Sequence, residues 1–124
     1  MPAQPAHILL VDDDALSREL LHTVLARAGY AVIDANSGAQ ALTQVTAQPP
    51  DLILLDVEMR GLSGYDVCKR LKANPATRDI RIIMLTGYES KEVRARAIAA
   101  GADAFFPKMD GWLPLLECIQ SLLD

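Results

Sequence analysis

Aromatic residues are scarce in this chain: Phe, Tyr and Trp together make up 5% of its 124 residues. Because 51% of the residues are hydrophobic, a sizeable core is available, but aliphatic side chains must fill it. Cysteine is nearly missing. Cys68 and Cys118 form no CxxC pair and have no histidine at a metal-binding spacing, and two cysteines make no disulfide framework. Both are expected to be reduced thiols at small core or boundary positions within helices. Apolar runs long enough to span a membrane are absent. The opening MPAQPAH is polar and lacks the apolar stretch of a signal peptide. These absences point to a cytoplasmic chain. Excess positive charge is lacking too, since the net charge is −4, which argues against nucleic acid as a direct partner. There is no internal linker, repeat or low-complexity stretch. The length suits one domain, expected over residues 7–124 behind a disordered or extended leader at 1–6.

What is present is an alternation. His7 to Val11 (HILLV) is a short apolar run, as befits a strand buried on both faces, and it stops abruptly at Asp12, Asp13 and Asp14. Leu16, Leu20, Val24 and Ala28 then recur every four residues as the core stripe of a helix ended by Gly29. Tyr30 to Ile33 reads as the second strand, with Asp34 at its end. Ser37 to Gln40 has capping-box spacing and opens a helix through Ala41, Leu42 and Val45. Asp51 to Leu55 is the third strand, running into Asp56. Ser63 caps a helix bearing Val67 and Leu71. Ile80 to Leu85 is the fourth strand, followed by Thr86 and Gly87. Ser90 caps a helix with Val93, Ala97 and Ala100. Ala102 to Phe106 is the fifth strand, followed by Pro107 and Lys108. Leu115, Ile119 and Leu122 mark the last helix. Strict alternation of five strands and five helices predicts an α/β fold with a doubly wound parallel sheet and helices on both faces.

In such sheets ligands bind beyond the carboxyl ends of the strands, where the strand order reverses. The common order 2-1-3-4-5 makes strands 1 and 3 neighbours at that point. Asp12 and Asp13 end strand 1, Asp56 ends strand 3, Thr86 ends strand 4, and Lys108 follows strand 5. Taken singly, each has an ordinary reading: an acid at a strand end is often a cap, as Asp14 is expected to be, Thr86 is a strand residue, and Lys108 a solvated lysine. His7 reads as a strand-edge residue and His22 as a helix-surface one. Joint placement on one rim lifts the set above these readings. Two carboxylates about 5 Å apart repel by roughly 3 kcal/mol at an effective dielectric near 20, so the cluster needs a shared proton or a cation. A hard divalent ion such as Mg2+ suits oxygen donors. A carboxylate beside such an ion and an ammonium is placed to attack phosphorus. The acids lie mostly in the first half: residues 1–59 hold eight acids against Arg18 and Arg27, for −6, while residues 60–124 sum to +2.

The motifs ILLVDDD at 8–14, DLILLDVEM at 51–59, IIMLTG at 82–87 and GADAFFPK at 101–108, in this order and spacing, resemble the receiver domains of two-component response regulators over about residues 7–123. The resemblance implies the flavodoxin-like receiver fold and specific roles. Asp56 would be the phosphoacceptor. Asp13 and Asp56 would bind Mg2+ or Mn2+ directly with the backbone carbonyl of Glu58, and Asp12 would act through a metal-bound water. Thr86 and Lys108 would contact phosphoryl oxygens. Thr86 and Phe105 would switch the surface of helix 4, strand 5 and helix 5, where Lys91, Arg94 and Arg96 lie. The donor would be a sensor histidine kinase or a histidine phosphotransfer protein. Apart from hydrolysis of its own phosphoryl group, the chain would not be an enzyme, and it would act on a downstream target or output domain, with dimerisation on phosphorylation.

The sequence departs from the family pattern in places. Arg60 stands where proline is frequent, which would loosen the loop or offer a partner contact. Proline precedes Lys108 instead of following it. A cis Lys108–Met109 bond would cost roughly 2.5–4 kcal/mol, so a trans bond or a strained cis one is expected. Phe105 has no hydroxyl where tyrosine is common. Glu58 and Tyr88 occupy positions that tune dephosphorylation in the family, Tyr88 by shielding the phosphoryl group. The main alternative is a pseudo-receiver, an interaction module that is not phosphorylated. A haloacid-dehalogenase-like phosphatase would want an acid-donating Asp where Glu58 stands. A flavin binder would want a Ser/Thr/Gly-rich loop in place of the three aspartates.

Overall fold

A computed structural model of the chain describes residues 4–108 and 111–124. The elements alternate as β1 (His7–Val11), α1 (Ala15–Arg27), β2 (Ala31–Ala35), α2 (Gly38–Ala47), β3 (Leu52–Asp56), α3 (Gly64–Ala73), β4 (Arg81–Thr86), α4 (Lys91–Ala99), β5 (Ala104–Pro107) and α5 (Trp112–Leu123). All strand pairs are parallel, in the order β2-β1-β3-β4-β5. The expected doubly wound sheet is therefore present.

Aliphatic runs make the central strands because both faces of the sheet are covered. Leu9, Val11, Ile53, Leu55, Ile82 and Met84 point into one buried layer with α2, α3 and α4. Ile8, Leu10, Leu52, Leu54, Ile83 and Leu85 point into the other, with α1 and α5. Side chains alternate along each strand, so a strand covered on both faces must be apolar at every position. Burying each Leu or Ile contributes about 1.5–3 kcal/mol. Ser37, Ser63 and Ser90 accept the N–H groups of Gln40, Asp66 and Val93 as helix caps, as expected, and Asp14 does the same for Ser17.

The packing face of α1 differs from the expected one. Leu16 and Leu20 are 65% and 54% exposed, and Leu21 and Leu25 are the buried residues. Leucines lie on both sides of this helix, so spacing alone leaves its rotation open by one residue, about 100°. The helix is turned so that Ser17, Leu21 and Leu25 face the sheet. Several strand boundaries shift by one residue, and two shift by two residues. β2 runs on to Ala35, because Asp34 pairs with Leu10 and Ala35 with Val11. β5 starts at Ala104, because the Ala102 N–H still serves the end of α4 through the Ala97 carbonyl.

At the amino edge of the sheet, Lys72 of α3 donates to the carbonyls of Arg78 (3.1 Å) and Ile80 (2.8 Å) and to Asp103 Oδ2 (2.9 Å). The same Asp103 oxygen accepts the Ile82 N–H at 2.8 Å, and the Asp103 N–H returns to the Ile82 carbonyl. The start of β4 and the approach to β5 are thus joined through one lysine. At the opposite edge, register fixes the rim. Val11 pairs with Leu55, so Asp12 follows beside Asp56. Leu85 pairs with Asp56, and Thr86 pairs with Pro107, so Lys108 lies one step beyond. No cis peptide occurs among the described residues. The Lys108–Met109 bond and residues 1–3 of the expected leader lie outside them.

Gly64 opens α3 directly against the acceptor strand. A Cβ there would stand 2.2 Å from the Asp56 carbonyl oxygen and 3.0 Å from Val57 Cα, and backbone cannot step aside as a flexible side chain can. Gly64→Ala is expected to cost about 3 kcal/mol of unfolding free energy by urea titration. An effect below about 0.5 kcal/mol, the range of ordinary surface substitutions, would show that α3 is not seated this closely.

Candidate functional site

Carboxylate oxygens of Asp12, Asp13 and Asp56 lie within 4.8 Å of one another. The three side chains reach this point from two adjacent strand ends, and the two central ones are buried, with Asp12 at 1% and Asp56 at 5% exposure. Lys108 enters from the far side of the sheet. Its Nζ donates to Asp12 Oδ2 at 3.0 Å, Asp56 Oδ2 at 3.2 Å and Ser17 Oγ at 3.4 Å. All three ammonium protons therefore have acceptors, and four of the five residues singled out from the sequence form one cluster.

The two buried carboxylates differ in proton affinity. Burial pushes the Asp56 carboxyl up to about 7, and the Asp12 charge adds to this, against the opposing Lys108 ammonium and the Glu58 N–H. Burial also pushes Asp12 up, but the Asp14 N–H, Ser17 and Lys108 outweigh it and hold that carboxyl below its ordinary value. Burial lowers the Lys108 ammonium, yet Asp56 and Asp12 together raise it above the usual lysine value. The cluster is thus strongly held on the Asp12 side and under-compensated at Asp56.

Thr86 is fully buried. Its hydroxyl lies 2.7 Å from the Tyr88 carbonyl and 3.1 Å from Glu58 Oε1, and it accepts the Tyr88 N–H. A hydroxyl has one proton, so it can serve only one of the two acceptors at a time. Glu58 meets the cluster through its backbone, whose N–H donates to Asp56 Oδ1 at 3.2 Å. The Tyr88 side chain is 67% exposed. Phe105 is half-buried with the Arg94 guanidinium 5.2 Å from its ring centre, and Arg96 lies 4.1 Å from the ring centre of Tyr65. Both arginines belong to α4, so the helix grips β5 and α3 through two aromatic rings.

Three supporting residues were not legible as such in the sequence. Ser17 is the third acceptor for Lys108. Arg18 donates from its NH1 to the Asp12 carbonyl at 2.8 Å. Arg60 ties its loop down: its backbone N–H donates to Asp13 Oδ2 at 3.0 Å, and its Nε–H lies 3.4 Å from the same oxygen. The available signal for Ser17 and Arg18 was their place in the first turn after the Asp14 cap, beside the carboxyl edge. His22, expected on the helix surface, has Nδ1 2.7 Å from Asp34 Oδ1.

The donor set fits a hard divalent cation. Three carboxylates converge against only the half-buried Lys108 ammonium and the exposed Arg60 guanidinium, all the donors are oxygen, and the mutual distances are short enough for one ion.

A family model described as the response regulator receiver domain matches residues 8–116. The chain is 40% identical over 116 residues to the response regulator MprA of Mycobacterium leprae, covering 94% of this chain and 50% of MprA. It thus spans about half the length of that curated relative. Among solved structures, the chemotaxis protein CheY4 of Vibrio cholerae superposes with a TM-score of 0.90 at 30% identity, covering 96% of this chain and 99% of that one. The response regulator TrrA of Thermotoga maritima, in complex with Mg(2+)-BeF, superposes with a TM-score of 0.86 at 34% identity, covering 95% and 99%.

A carboxyl raised to about 7 keeps a proton in the folded state that the unfolded chain has released, across the window from about pH 4 to 7. Stability of the metal-free protein should therefore fall as pH rises through that window. Asp56→Asn removes the group. In EDTA it should be more stable than wild type by about 1–3 kcal/mol near pH 8, with the gap closing toward pH 4. Urea unfolding at several pH values checks this, and a gap independent of pH would refute it.

Proposed function

The chain belongs to the response regulator receiver domain family of two-component signalling, and from that premise we propose that it accepts a phosphoryl group on the carboxylate of Asp56. The observation that carries this reading is the convergence of three carboxylates within 4.8 Å on one ammonium that contacts Asp12 and Asp56. The receiver unit is residues 7–124. The donor is the phosphohistidine of a sensor histidine kinase or of a histidine phosphotransfer protein. A carboxylate oxygen of Asp56 bonds to phosphorus as the phosphorus–nitrogen bond breaks, and the electron pair leaves with the imidazole.

Asp13, Asp56 and the Glu58 carbonyl would hold Mg2+ or Mn2+, with Asp12 acting through a water. When bound, the ion supplies positive charge against the crowded carboxylates and the phosphoryl oxygens. Lys108 pairs with one phosphoryl oxygen, and Ser17 keeps that ammonium from swinging into solvent. Thr86 gives up its contacts with Glu58 and the Tyr88 carbonyl to donate to another oxygen. Phosphorylation adds nearly two negative charges at the rim. This shifts the balance between two preexisting arrangements, and Phe105 changes rotamer beneath Arg94. The altered face of α4, β5 and α5 then meets a downstream target or output domain, or a second copy of the chain. Hydrolysis of the acyl phosphate resets the domain, with Glu58 and Tyr88 setting its rate, and no other turnover is expected. The protein works in the cytoplasm without direct nucleic-acid contact. Among the described residues no helix is long and apolar enough to cross a membrane.

Incubation with acetyl phosphate and Mg2+ should add one phosphoryl group to wild type by intact mass and none to Asp56→Asn, and EDTA should abolish the gain. Lys108→Ala should slow the transfer by about 100- to 1,000-fold, the range for loss of one charge-stabilising group. No gain with any donor would favour a pseudo-receiver that acts only as an interaction module.

A further inference from the structure

The three rim carboxylates meet two cations, which come from opposite sides. Lys108 serves Asp12 and Asp56. Asp13 is served by Arg60, a residue 47 positions away in the chain, through both its backbone N–H at 3.0 Å and its Nε–H at 3.4 Å, converging on the single oxygen Oδ2. The two partners differ in exposure: the Asp13 side chain is 20% exposed and that of Arg60 is 92% exposed. The carboxylate is therefore fixed at the rim, while the guanidinium lies in water and is free to leave.

We propose that Arg60 is a resident counter-ion of Asp13, a positioning residue that competes with the divalent cation for this carboxylate and so sets the metal affinity of the site. The proposal rests on Asp13 being a metal ligand. A cation entering the cluster must share Oδ2 with the guanidinium or displace it, because both draw on the same negative charge. An exposed ion pair is weak, so the competition amounts to a factor of about two to five in affinity. The backbone N–H is unaffected by that displacement. It keeps the Asp13 carboxylate aimed into the cluster whether or not the side chain is present. Arg60 thus acts twice: its main chain orients the ligand, and its side chain weakens the hold of that ligand on the metal.

Calorimetric titration of Mg2+ into the whole chain tests this. Arg60→Ala keeps the N–H and removes the guanidinium, and it should lower the Mg2+ dissociation constant by about two- to fivefold at low ionic strength. Its thermal midpoint in EDTA should fall by about 1–5 °C, the loss of one weak exposed ion pair from the metal-free state. Arg78→Ala removes an equal charge at the opposite edge of the sheet and should leave Mg2+ binding unchanged. In wild type, Mg2+ should also move the Arg60 Nε–H resonance to its solvent-exposed position. Unchanged or weaker Mg2+ binding by Arg60→Ala, an equal gain from Arg78→Ala, or an Arg60 Nε–H that ignores Mg2+ would overturn the proposal. If Asp13→Asn binds Mg2+ as tightly as wild type, the reading of Asp13 as a ligand fails instead.

Discussion

Confinement of like charge at one sheet edge is the constraint on which the rest of the rim depends. Asp12 and Asp56 follow neighbouring strands whose register leaves them side by side, and both are almost wholly buried. In water such a pair would be screened, whereas at the end of an apolar sheet each carboxylate must find a proton, a donor or a cation. Much of the local architecture answers that demand. Lys108 bridges the two acids, Ser17 occupies the third ammonium proton, and the Asp14 and Glu58 N–H groups each cover one carboxylate oxygen. The answer is incomplete at Asp56, and this is why that carboxyl, and not Asp12, is the one pushed up to about 7. A group left short of positive charge in a rigid setting has the most to gain from any cation that arrives.

The sheet was legible in the sequence because its central strands are covered on both faces. HILLV, DLILL and IIML leave no alternative to burial, and the polar residue that stops each run marks the carboxyl edge. Alternation implied a parallel doubly wound sheet, the strand order is the one common to five-stranded sheets of this kind, and the rim residues followed from that order. The face of α1 was not legible, because Leu16, Leu20, Leu21 and Leu25 supply two competing stripes and only the contact with the sheet chooses between them. The supporting contacts from Ser17, Arg18 and Arg60 were hidden for a related reason. A polar side chain in a first turn or a loop reads as surface until the neighbouring strand end is known. β5 starts two residues later than the run from Ala102 to Phe106 suggests, because the Ala102 and Asp103 N–H groups are spent on the Ala97 carbonyl at the end of α4 and on the Ile82 carbonyl.

Thr86 joins the acidic rim to the surface beyond it. Its hydroxyl has two acceptors within reach and one proton to give, so its present arrangement is satisfied but not uniquely so. Groups of this kind can exchange partners at small cost, in contrast to the closed set of bonds around Lys108. The loop that carries Tyr88 leads directly into α4, where Arg94 and Arg96 lie over Phe105 and Tyr65. A change in what Thr86 bonds would therefore reach a helix whose contacts with β5 and α3 include two aromatic rings beneath its arginines.

The Lys72 junction would give such a movement a direction. Its ammonium has three acceptors, from the Arg78 and Ile80 carbonyls and Asp103, and these hold the amino-terminal ends of β4 and β5 together like the fixed root of a cantilever. A strand anchored at its root and loaded at its tip deflects most at the tip. Displacements of Thr86 and Phe105 would therefore fade along β4 and β5 toward the root and leave the amino-terminal face of the domain unchanged in shape.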